Sequence, residues 1–319
     1  AKTACSVIRY REEEVVGVLD TTVPPQSCQN LFEVGGDLPV VNSVDAVPEA
    51  NVLLIGIAPT GGGLPEPMRM QVLAAIERGM DIESGLHDFL TDDDEFVSTA
   101  QKSGSVLRDL RRNNERDVAQ RQNISPECLR VHTVGHDCSV GKMITSIEIT
   151  RGLEADGVDA KFIATGQTGI LVEGEGCPVD AVVADFISGS VEKQILAHQH
   201  HQVLVVEGQG SITHPCYSAV TLGLLHGCLP DCLIYCYELG RTQVKGVGHI
   251  ELPSMEAQKD LYLKMANAAH SCRFIGVSIN SRNTDEMTYR KEKERIESEW
   301  NLPACDVFRE NAEPLVKAV

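Results

Sequence analysis

Short apolar runs alternate with amphipathic stretches along most of the chain, and this alternation predicts an α/β fold. Runs that predict buried strands lie at 15–19, 52–57, 129–134, 160–164, 202–207, 232–237 and 274–279. Stretches with helical periodicity lie at 68–78, 144–155, 216–225 and 284–300. Strands that alternate with helices of this length are typical of doubly wound sheets whose strands are mostly parallel. Four residues of the first helix are predicted to face the core: Met70, Leu73, Ala74 and Ile76.

Two domains are expected, because the chain has 319 residues and a single hydrophobic core rarely extends over that length. The segment 110–125 is polar and charged, which is typical of a hinge between domains. We therefore predict one α/β domain over 1–125 and a second over 126–319. In the first domain, the glycines at 61–63 lack dinucleotide-binding spacing and are interpreted as a flexible loop before a helix. The acidic cluster at 92–95 is expected to stabilise the start of another helix.

The segment from Gly135 to Lys142 carries the clearest chemical signal. It follows an apolar run at 129–134 and precedes the helical pattern at 144–155. In such a strand, loop and helix, main-chain N–H groups and the helix dipole favour a bound phosphate, and a lysine adds positive charge. We therefore predict a phosphate-binding loop. The residues expected to contact the phosphates are Gly135, His136, Cys138, Ser139, Val140, Gly141, Lys142 and Met143.

This loop differs from the common P-loop in two ways. Five residues separate Gly135 from Gly141, where the common pattern has about four, and the longer loop resembles that of dethiobiotin synthetase and related dimeric ATPases. Met143 stands where a Ser or Thr hydroxyl usually binds Mg²⁺, and a thioether is a poor ligand for that ion. The hydroxyls of Thr145 and Ser146 follow, but the helix is expected to turn them away. The loop predicts phosphate binding without itself indicating hydrolysis of Mg-ATP.

Three residues near the ends of strands or within the loop are predicted to act in catalysis: Asp137, Glu207 and His214. Glu207 ends an apolar run at the edge of the sheet where ligands bind, although a carboxylate there can also cap a helix. Asp137 inside an anion cradle is favourable only beside a cation, unless it makes a bond within the turn. His214 follows the glycine-containing segment after Glu207, and its alternative role is structural. The thiol of Cys138 lies next to a helix start and Lys142, which lower a thiol pKa and would suit a nucleophile, but the preferred interpretation is a small buried residue.

Other polar residues at the same edge are predicted to bind the substrate. Arg241 follows a strand and has the geometry to pair with a carboxylate. Lys161 begins the strand after the loop helix, and its alternative is a surface lysine. N–H groups of the loops at 166–169 and 208–210 are candidates to stabilise a tetrahedral oxyanion. The predicted substrate-binding residues are Lys161, Gln167, Thr168, Gln209 and Arg241.

Charge and cysteine usage exclude several functional classes. The net charge of −18 argues against binding to a nucleic-acid backbone, which needs a basic surface. Eleven cysteines occur without a Cys-x-x-Cys pair, so neither a zinc site nor a disulfide framework is predicted, and no metal ligand is assigned. The sequence has no membrane-length apolar run and no signal-peptide pattern near residue 1, which predicts a cytoplasmic protein without contact with a membrane.

Several segments together resemble the DgcN-type D-glutamate N-acetyltransferase family. They lie at 58–62, 84–90, 135–143, 164–169, 179–186, 207–211 and 240–242. These segments are distributed over nearly the whole chain. The resemblance implies a Rossmann-like N-terminal domain and a P-loop C-terminal domain. One difference is Ile144, where the family usually has Thr.

The resemblance also implies acetyl transfer from acetyl-CoA to the amine of D-glutamate, in D-amino-acid catabolism. Coenzyme A carries a diphosphate and a ribose phosphate, so a P-loop without the Mg²⁺ hydroxyl suits it. We expect 135–142 to hold these phosphates, Asp137 or Glu207 to take the proton of the substrate ammonium, and Arg241 or Lys161 to hold a glutamate carboxylate.

Two alternatives remain open at this point. The first is a Mg-ATP-dependent ligase or kinase resembling dethiobiotin synthetase, in which Asp137 and Glu207 share Mg²⁺. The second is a nucleotide-binding P-loop module without turnover. In the two enzyme hypotheses the partner is a small molecule. A homo-oligomer is expected, because similar P-loop proteins commonly dimerise.

Overall fold

The computed structural model describes residues 2–57 and 63–319, so the predicted loop at 61–63 lies largely outside the described residues. The chain forms two compact units. The N-terminal unit contains residues up to Asn113 together with 170–174, and the C-terminal unit contains 114–169 and 175–319. The boundary after Asn113 falls inside the polar segment 110–125. Within the described ranges, no helix has both the length and the apolar composition required to cross a bilayer.

Over its described residues, the N-terminal unit contains two small sheets and four α-helices. Its strands are β1 (Val18–Leu19), β2 (Gln26–Ser27), β3 (Pro39–Val41), β4 (Val52–Leu54), β5 (Asp81–Ser84) and β6 (Leu107–Asp109). Its helices are α1 (Lys2–Tyr10), α2 (Cys28–Phe32), α3 (Glu66–Glu77) and α4 (Asp94–Ser103). The first sheet has the order β1-β3-β2, with β2 antiparallel to β3, and the second has the parallel order β4-β5-β6. The strands predicted at 15–19 and 52–57 are therefore present but shorter.

Helix α3 is present where it was predicted, but its buried face differs in one residue. Met70 is 72% exposed, so the prediction that it faces the core is wrong. Ile76 is buried as predicted, and Val72 is buried in place of Met70. Met70 lies two positions before Val72, which is about 200° around the helix. Leu73 and Ala74 are partly buried against the same core, as predicted.

The acidic cluster at 92–95 caps a helix, as the sequence predicted. The Asp93 carboxylate accepts hydrogen bonds from the main-chain N–H groups of Glu95 and Phe96 at the start of α4. Arg69 donates two further hydrogen bonds to it, which lowers the pKa of Asp93 to about 2. The carboxylate therefore stays ionised and serves the helix start.

The C-terminal unit is built on one parallel six-stranded sheet, which confirms the predicted fold class. Its strands are β7 (Leu129–Gly135), β8 (Ala160–Ile163), β9 (Val203–Val206), β10 (Cys232–Glu238), β11 (Arg273–Asn280) and β12 (Ala304–Cys305). Its helices are α5 (Lys142–Ala155), α6 (Gln167–Glu173), α7 (Ile187–His198), α8 (Ser218–Cys228), α9 (Met255–Asn267), α10 (Glu286–Trp300) and α11 (Glu313–Val316). Helix α6 extends from the C-terminal unit into the segment 170–174, which belongs to the N-terminal unit.

The strand order of this sheet places the candidate site at its centre. The order is β12-β11-β10-β7-β9-β8, so the chain leaves β7 towards β8, returns to β9, and then crosses to β10 on the other side. In open parallel sheets, ligands bind beyond the carboxyl ends of the strands where the order reverses in this way. The loops after β7, β9 and β10 therefore meet at one edge.

Candidate phosphate-binding site

The loop between β7 and α5 has the backbone of an anion cradle. Ser139 and Gly141 both adopt left-handed conformations, with φ of 57° and 110°, and such turns point successive N–H groups to one side. At Gly135 a Cβ atom would lie 2.6 Å from the carbonyl oxygen of Cys236, so only glycine fits there. The strand, loop and helix predicted from the sequence are therefore confirmed.

Lys142 lies across this loop, as a phosphate-binding lysine should. The residue is only 6% exposed, and its ammonium donates a hydrogen bond to the main-chain oxygen of Asp137 at 2.8 Å. Its side chain passes close to Gly208, where a Cβ atom would lie 2.9 Å from Lys142 Cδ and 1.7 Å from the carbonyl oxygen of Thr133. Gly208 thus lets the loop after β9 approach both β7 and the lysine.

The first turn of α5 turns its hydroxyls away from the loop, as expected. Met143 is buried at 5% exposure. Thr145 Oγ1 lies 2.8 Å from the hydroxyl of Ser278, and Ser146 Oγ lies 2.9 Å from that of Thr133. Neither hydroxyl replaces the usual Mg²⁺ ligand. The turn is therefore suited to binding phosphate without a magnesium bridge.

Asp137 is fully buried and anchors the loop to the segment after β10. Its Oδ1 accepts the N–H of Cys138 at 2.7 Å, and its Oδ2 accepts Arg241 at 2.9 Å and the N–H of Lys245 at 2.8 Å. Burial opposes ionisation, but these donors outweigh it and hold the pKa of Asp137 below its usual value. Arg241 is therefore the cation that an aspartate here requires, and a carboxylate with so many donors is a weak proton acceptor.

The two histidines next to the loop are buried and already hydrogen-bonded. His136 Nε2 accepts the N–H of Glu238 at 3.2 Å. Burial, assisted by the charge of Arg241, lowers the pKa of His136 to about 3, so the ring is neutral. His214 Nδ1 accepts the N–H of Cys216 at 3.1 Å, which leaves the proton on Nε2, 3.2 Å from the carbonyl oxygen of Lys245.

Acid is expected to destabilise the protein through two of its buried histidines. Burial lowers the pKa of His132 to about 4 and that of His136 to about 3. The unfolded chain binds protons at pKa about 6.5, so below that pH protonation favours unfolding. Acidification from pH 7 to pH 5 should therefore lower the free energy of unfolding by about 2 kcal/mol for each histidine. Carboxylates stay ionised over this range. Urea titrations of the wild type and of His136→Gln at pH 7 and pH 5 check this. The free energy of unfolding of the variant should fall by about 2 kcal/mol less than that of the wild type on acidification. An equal fall in both proteins would contradict the assignment.

Glu207 serves as a cap, which was its alternative role. It is buried, and its Oε2 accepts the N–H groups of Thr165 and Gly166 at 2.8 and 3.0 Å, just before α6. The N–H of Gly166 is thus taken by Glu207, and the predicted oxyanion role of the loops at 166–169 or 208–210 stays a prediction. Gln167 and Thr168 begin α6 at the same corner. Gln209 joins them through a contact of 3.5 Å between its side-chain nitrogen and Thr165 Oγ1.

Two other predicted site residues are Cys138 and Lys161. Burial raises the pKa of the Cys138 thiol, and the opposing charge of Lys142 is too weak to reverse this. Lys161 is paired with Leu204, two residues before the end of β9, and its ammonium lies 2.6 Å from Glu175. The predicted contact of Lys161 with the substrate stays a prediction.

One group of residues has the chemistry of metal ligands. Ligand atoms of Asp137, Cys138 and His214 lie within 4.8 Å of one another. Both oxygens of Asp137 already accept hydrogen bonds, and the guanidinium of Arg241 brings a positive charge to the carboxylate. A metal cation would have to displace these bonds, so this group is better explained as a hydrogen-bonded network.

The structure adds three residues that sequence reasoning missed. Glu238 accepts hydrogen bonds from Arg241 and from Asn283, and Asn280 donates a hydrogen bond to the carbonyl oxygen of Val140 at 3.4 Å. Lys245 contributes its main-chain N–H to Asp137. Glu238 and Asn280 each end a strand of the sheet. Polar residues at the carboxyl ends of parallel strands are expected at the ligand site, and this expectation, which indicated Glu207, also applies to them. Lys245 has no comparable signal in the sequence.

Comparison with known proteins assigns both halves of the chain to one family. Residues 117–316 match the P-loop domain described as domain of unknown function DUF1611, and residues 25–113 match the Rossmann-like N-terminal domain of the same family. A crystal structure of a DUF1611 family protein from Anabaena variabilis superposes with a TM-score of 0.93. It is 34% identical in sequence, and the match covers 99% of this chain and 94% of that one.

Two curated relatives carry a functional name. The chain is 38% identical to a D-glutamate N-acetyltransferase from Tritonibacter scottomollicae over 85% of this chain and 81% of the relative. It is 37% identical to a D-glutamate N-acetyltransferase from a Pseudoalteromonas species over 84% of this chain and 80% of the relative. The similarity therefore extends well beyond the phosphate loop.

Proposed function

The chain belongs to the DUF1611 family, and we propose that it is an N-acetyltransferase that moves an acetyl group from acetyl-CoA to the amine of D-glutamate or a similar amino acid. The names of the two relatives support the acceptor and the reaction. The structural observation that carries the choice of donor is the phosphate loop itself. It combines a buried lysine and left-handed turns with a buried thioether in place of the magnesium hydroxyl.

The residues present suit the phosphates of coenzyme A. Gly135 and Gly208 stand where a Cβ atom would collide with neighbouring main chain, so the loop and its neighbour come together without side chains between them. Backbone N–H groups, the start of α5 and Lys142 then supply the positive potential that a diphosphate needs. Such binding requires no hydrolysis and no magnesium bridge.

The reaction itself is expected to occur away from the loop. In coenzyme A the pantetheine arm separates the diphosphate from the thioester, so a donor bound at 135–142 presents its acetyl group at the far end of that arm. There the amine attacks the thioester carbonyl, a C–N bond forms, the C–S bond breaks, and the thiolate takes up a proton. We therefore propose that Asp137, Glu207 and His214 position the loop and its neighbours. Their predicted catalytic roles and the substrate contact of Arg241 stay predictions.

Thiol release tests this function directly. Wild-type protein with acetyl-CoA should release free thiol when D-glutamate is added, and a chelator such as EDTA should change the rate by less than about twofold, because the loop lacks the magnesium hydroxyl. L-Glutamate and buffer alone serve as controls. Absence of thiol release with D-glutamate, with or without divalent metal, would reject the proposal.

Substitution of Met143 separates acetyl transfer from the Mg-ATP alternative. If the chain were an ATP-dependent ligase, Met143→Thr would restore a magnesium ligand and increase magnesium-dependent hydrolysis of ATP. We expect no magnesium-dependent ATP hydrolysis in either the wild type or the variant. Phosphate release measured with and without Mg²⁺ checks this, and hydrolysis that appears only with Mg²⁺ would favour the ligase.

A further inference from the structure

We propose that Lys245 and Arg282 bind the 3′-phosphate of coenzyme A and thereby select it over donors that lack this group. This inference rests on the proposed function, because it concerns the same donor. It names a specificity contact that lies beside the phosphate loop and outside it.

The segment at 280–283 lies against the phosphate loop. Asn280 at the end of β11 donates a hydrogen bond to the carbonyl oxygen of Val140 at 3.4 Å. The main-chain N–H of Arg282 then bonds the side-chain oxygen of Asn280 at 3.4 Å. Arg282 is therefore two residues from a direct contact with the loop.

Contacts between side chains tie Arg282 to the loop by a second route. Its guanidinium lies 3.4 Å from Glu238 Oε2. The same carboxylate oxygen pairs with Arg241, and Arg241 donates a hydrogen bond to the carbonyl oxygen of Cys138 at 2.7 Å. The side chain of Arg282 nevertheless stays 60% exposed, so it can reach a ligand from solvent.

Lys245 approaches the loop from the segment after β10. Its main-chain N–H is fixed to Asp137 at 2.8 Å, while the residue itself is exposed. Its ammonium is near enough to the thiol of Cys138 to lower the pKa of that group, although burial dominates there. The backbone of Lys245 thus holds the loop, and its side chain is free to serve another purpose.

The local charge favours a further anion even though the whole chain is acidic. Four cations surround the loop: Lys142, Arg241, Lys245 and Arg282. Three carboxylates lie nearby: Asp137, Glu207 and Glu238. Four positive against three negative charges leave a net charge of +1, in a chain whose formal charge is −18.

The 3′-phosphate of coenzyme A is an anion that suits this local positive charge. Its 3′-phosphate is attached to the ribose of the same adenosine that carries the diphosphate, far from the thioester. A diphosphate at 135–142 therefore brings the third phosphate to the surroundings of the loop. Arg and Lys are the residues that bind phosphate oxygens most strongly, and Lys245 and Arg282 are exposed cations at this place.

Binding of coenzyme A and of 3′-dephospho-coenzyme A, measured by isothermal titration calorimetry, tests the proposal. The wild type should bind coenzyme A roughly 10- to 100-fold more tightly. Arg282→Ala and Lys245→Ala should each reduce this preference by about five- to tenfold, with less than about twofold change for the dephospho form. Arg282→Lys should retain part of the preference. Arg290→Ala is the matched control, because Arg290 is an exposed arginine on α10 paired with Glu286.

The outcomes distinguish this inference from the proposed function. Equal affinities of the wild type for the two ligands, or equal losses for both in the variants, would overturn the assignment of the 3′-phosphate. Thiol release from acetyl-CoA and from acetyl-3′-dephospho-CoA is measured in parallel. Release from both donors with no effect of the variants leaves acetyl transfer standing and rejects the inference. Release from neither donor rejects the proposed function, while the binding preference still decides the phosphate assignment.

Discussion

Lys142→Ala is expected to weaken binding of coenzyme A by roughly 30- to 1,000-fold, because it removes a buried charge-assisted contact with phosphate. The ammonium of Lys142 is buried within the loop and lies 2.8 Å from the main-chain oxygen of Asp137. Lys142 is the first residue of α5, which places its side chain next to the loop. Calorimetric titration with coenzyme A measures the loss, and thiol release from acetyl-CoA should fall in parallel.

The controls for Lys142 separate binding from folding. Lys142→Arg keeps the charge but enlarges the head group next to Gly208, so it should restore only part of the affinity. Lys291→Ala removes an exposed lysine from α10 and should leave binding within about twofold. The midpoint of urea unfolding of Lys142→Ala should stay close to that of the wild type. Wild-type affinity in a folded Lys142→Ala protein would show that the loop does not hold the phosphates.

The phosphate loop could be predicted because its signals are local. An apolar run, two glycines and a lysine stand next to one another in the sequence, and each has a single structural meaning there. The position of Glu207 could also be predicted, because a carboxylate that ends a buried strand must lie at the carboxyl edge of the sheet. Its partners could not be predicted, because Thr165 and Gly166 are 42 and 41 residues away. The hydrogen bonds that Glu207 makes as a cap therefore become visible only in the fold.

Long-range contacts account for much of what the sequence did not show. The buried hydroxyl of Tyr262 donates to the carbonyl oxygen of Gly135 and accepts the N–H of Ile212. This tyrosine lies on α9, a helix that was not predicted, although Ser254 caps its start. Its partner at Gly135 is 127 residues away in the sequence, and nothing in the local pattern connects the two.

Competing effects decide the outcomes at Cys138 and Met70. For Cys138 the helix start and Lys142 lower the thiol pKa, but burial, which was the preferred interpretation of this residue, raises that pKa more. For Met70, the apolar residues of α3 extend around more than one side of the helix, and the side with Val72, Ala75 and Ile76 is the one that packs against the core. The short strands of the N-terminal unit, two to four residues each, contain too few residues for a pattern to fix their ends.

Asp137→Ala is expected to destabilise the protein by about 3–5 kcal/mol, because it breaks a buried ion pair and leaves its partners unsatisfied. The variant removes the acceptor of Arg241 and of the N–H groups of Cys138 and Lys245. The loop should then lose its attachment to the segment after β10, so binding of coenzyme A should weaken as well. Urea unfolding at pH 7 measures the first effect and calorimetric titration the second. Asp260→Ala, at an exposed position on α9, is the matched control.

The pH dependence of Asp137→Asn distinguishes an ion pair from a structural turn. Donors hold the pKa of Asp137 below its usual value, so the stability that ionisation contributes is complete above about pH 4, the pKa of an unfolded aspartate. It is lost as the pH falls through the lower pKa of the folded state. The difference in unfolding free energy between wild type and Asp137→Asn should therefore be constant from pH 7 to about pH 5 and shrink below about pH 4. A difference that does not change with pH would mean that Asp137 acts through its hydrogen bonds alone, and Glu238 would then be the ion-pair partner of Arg241.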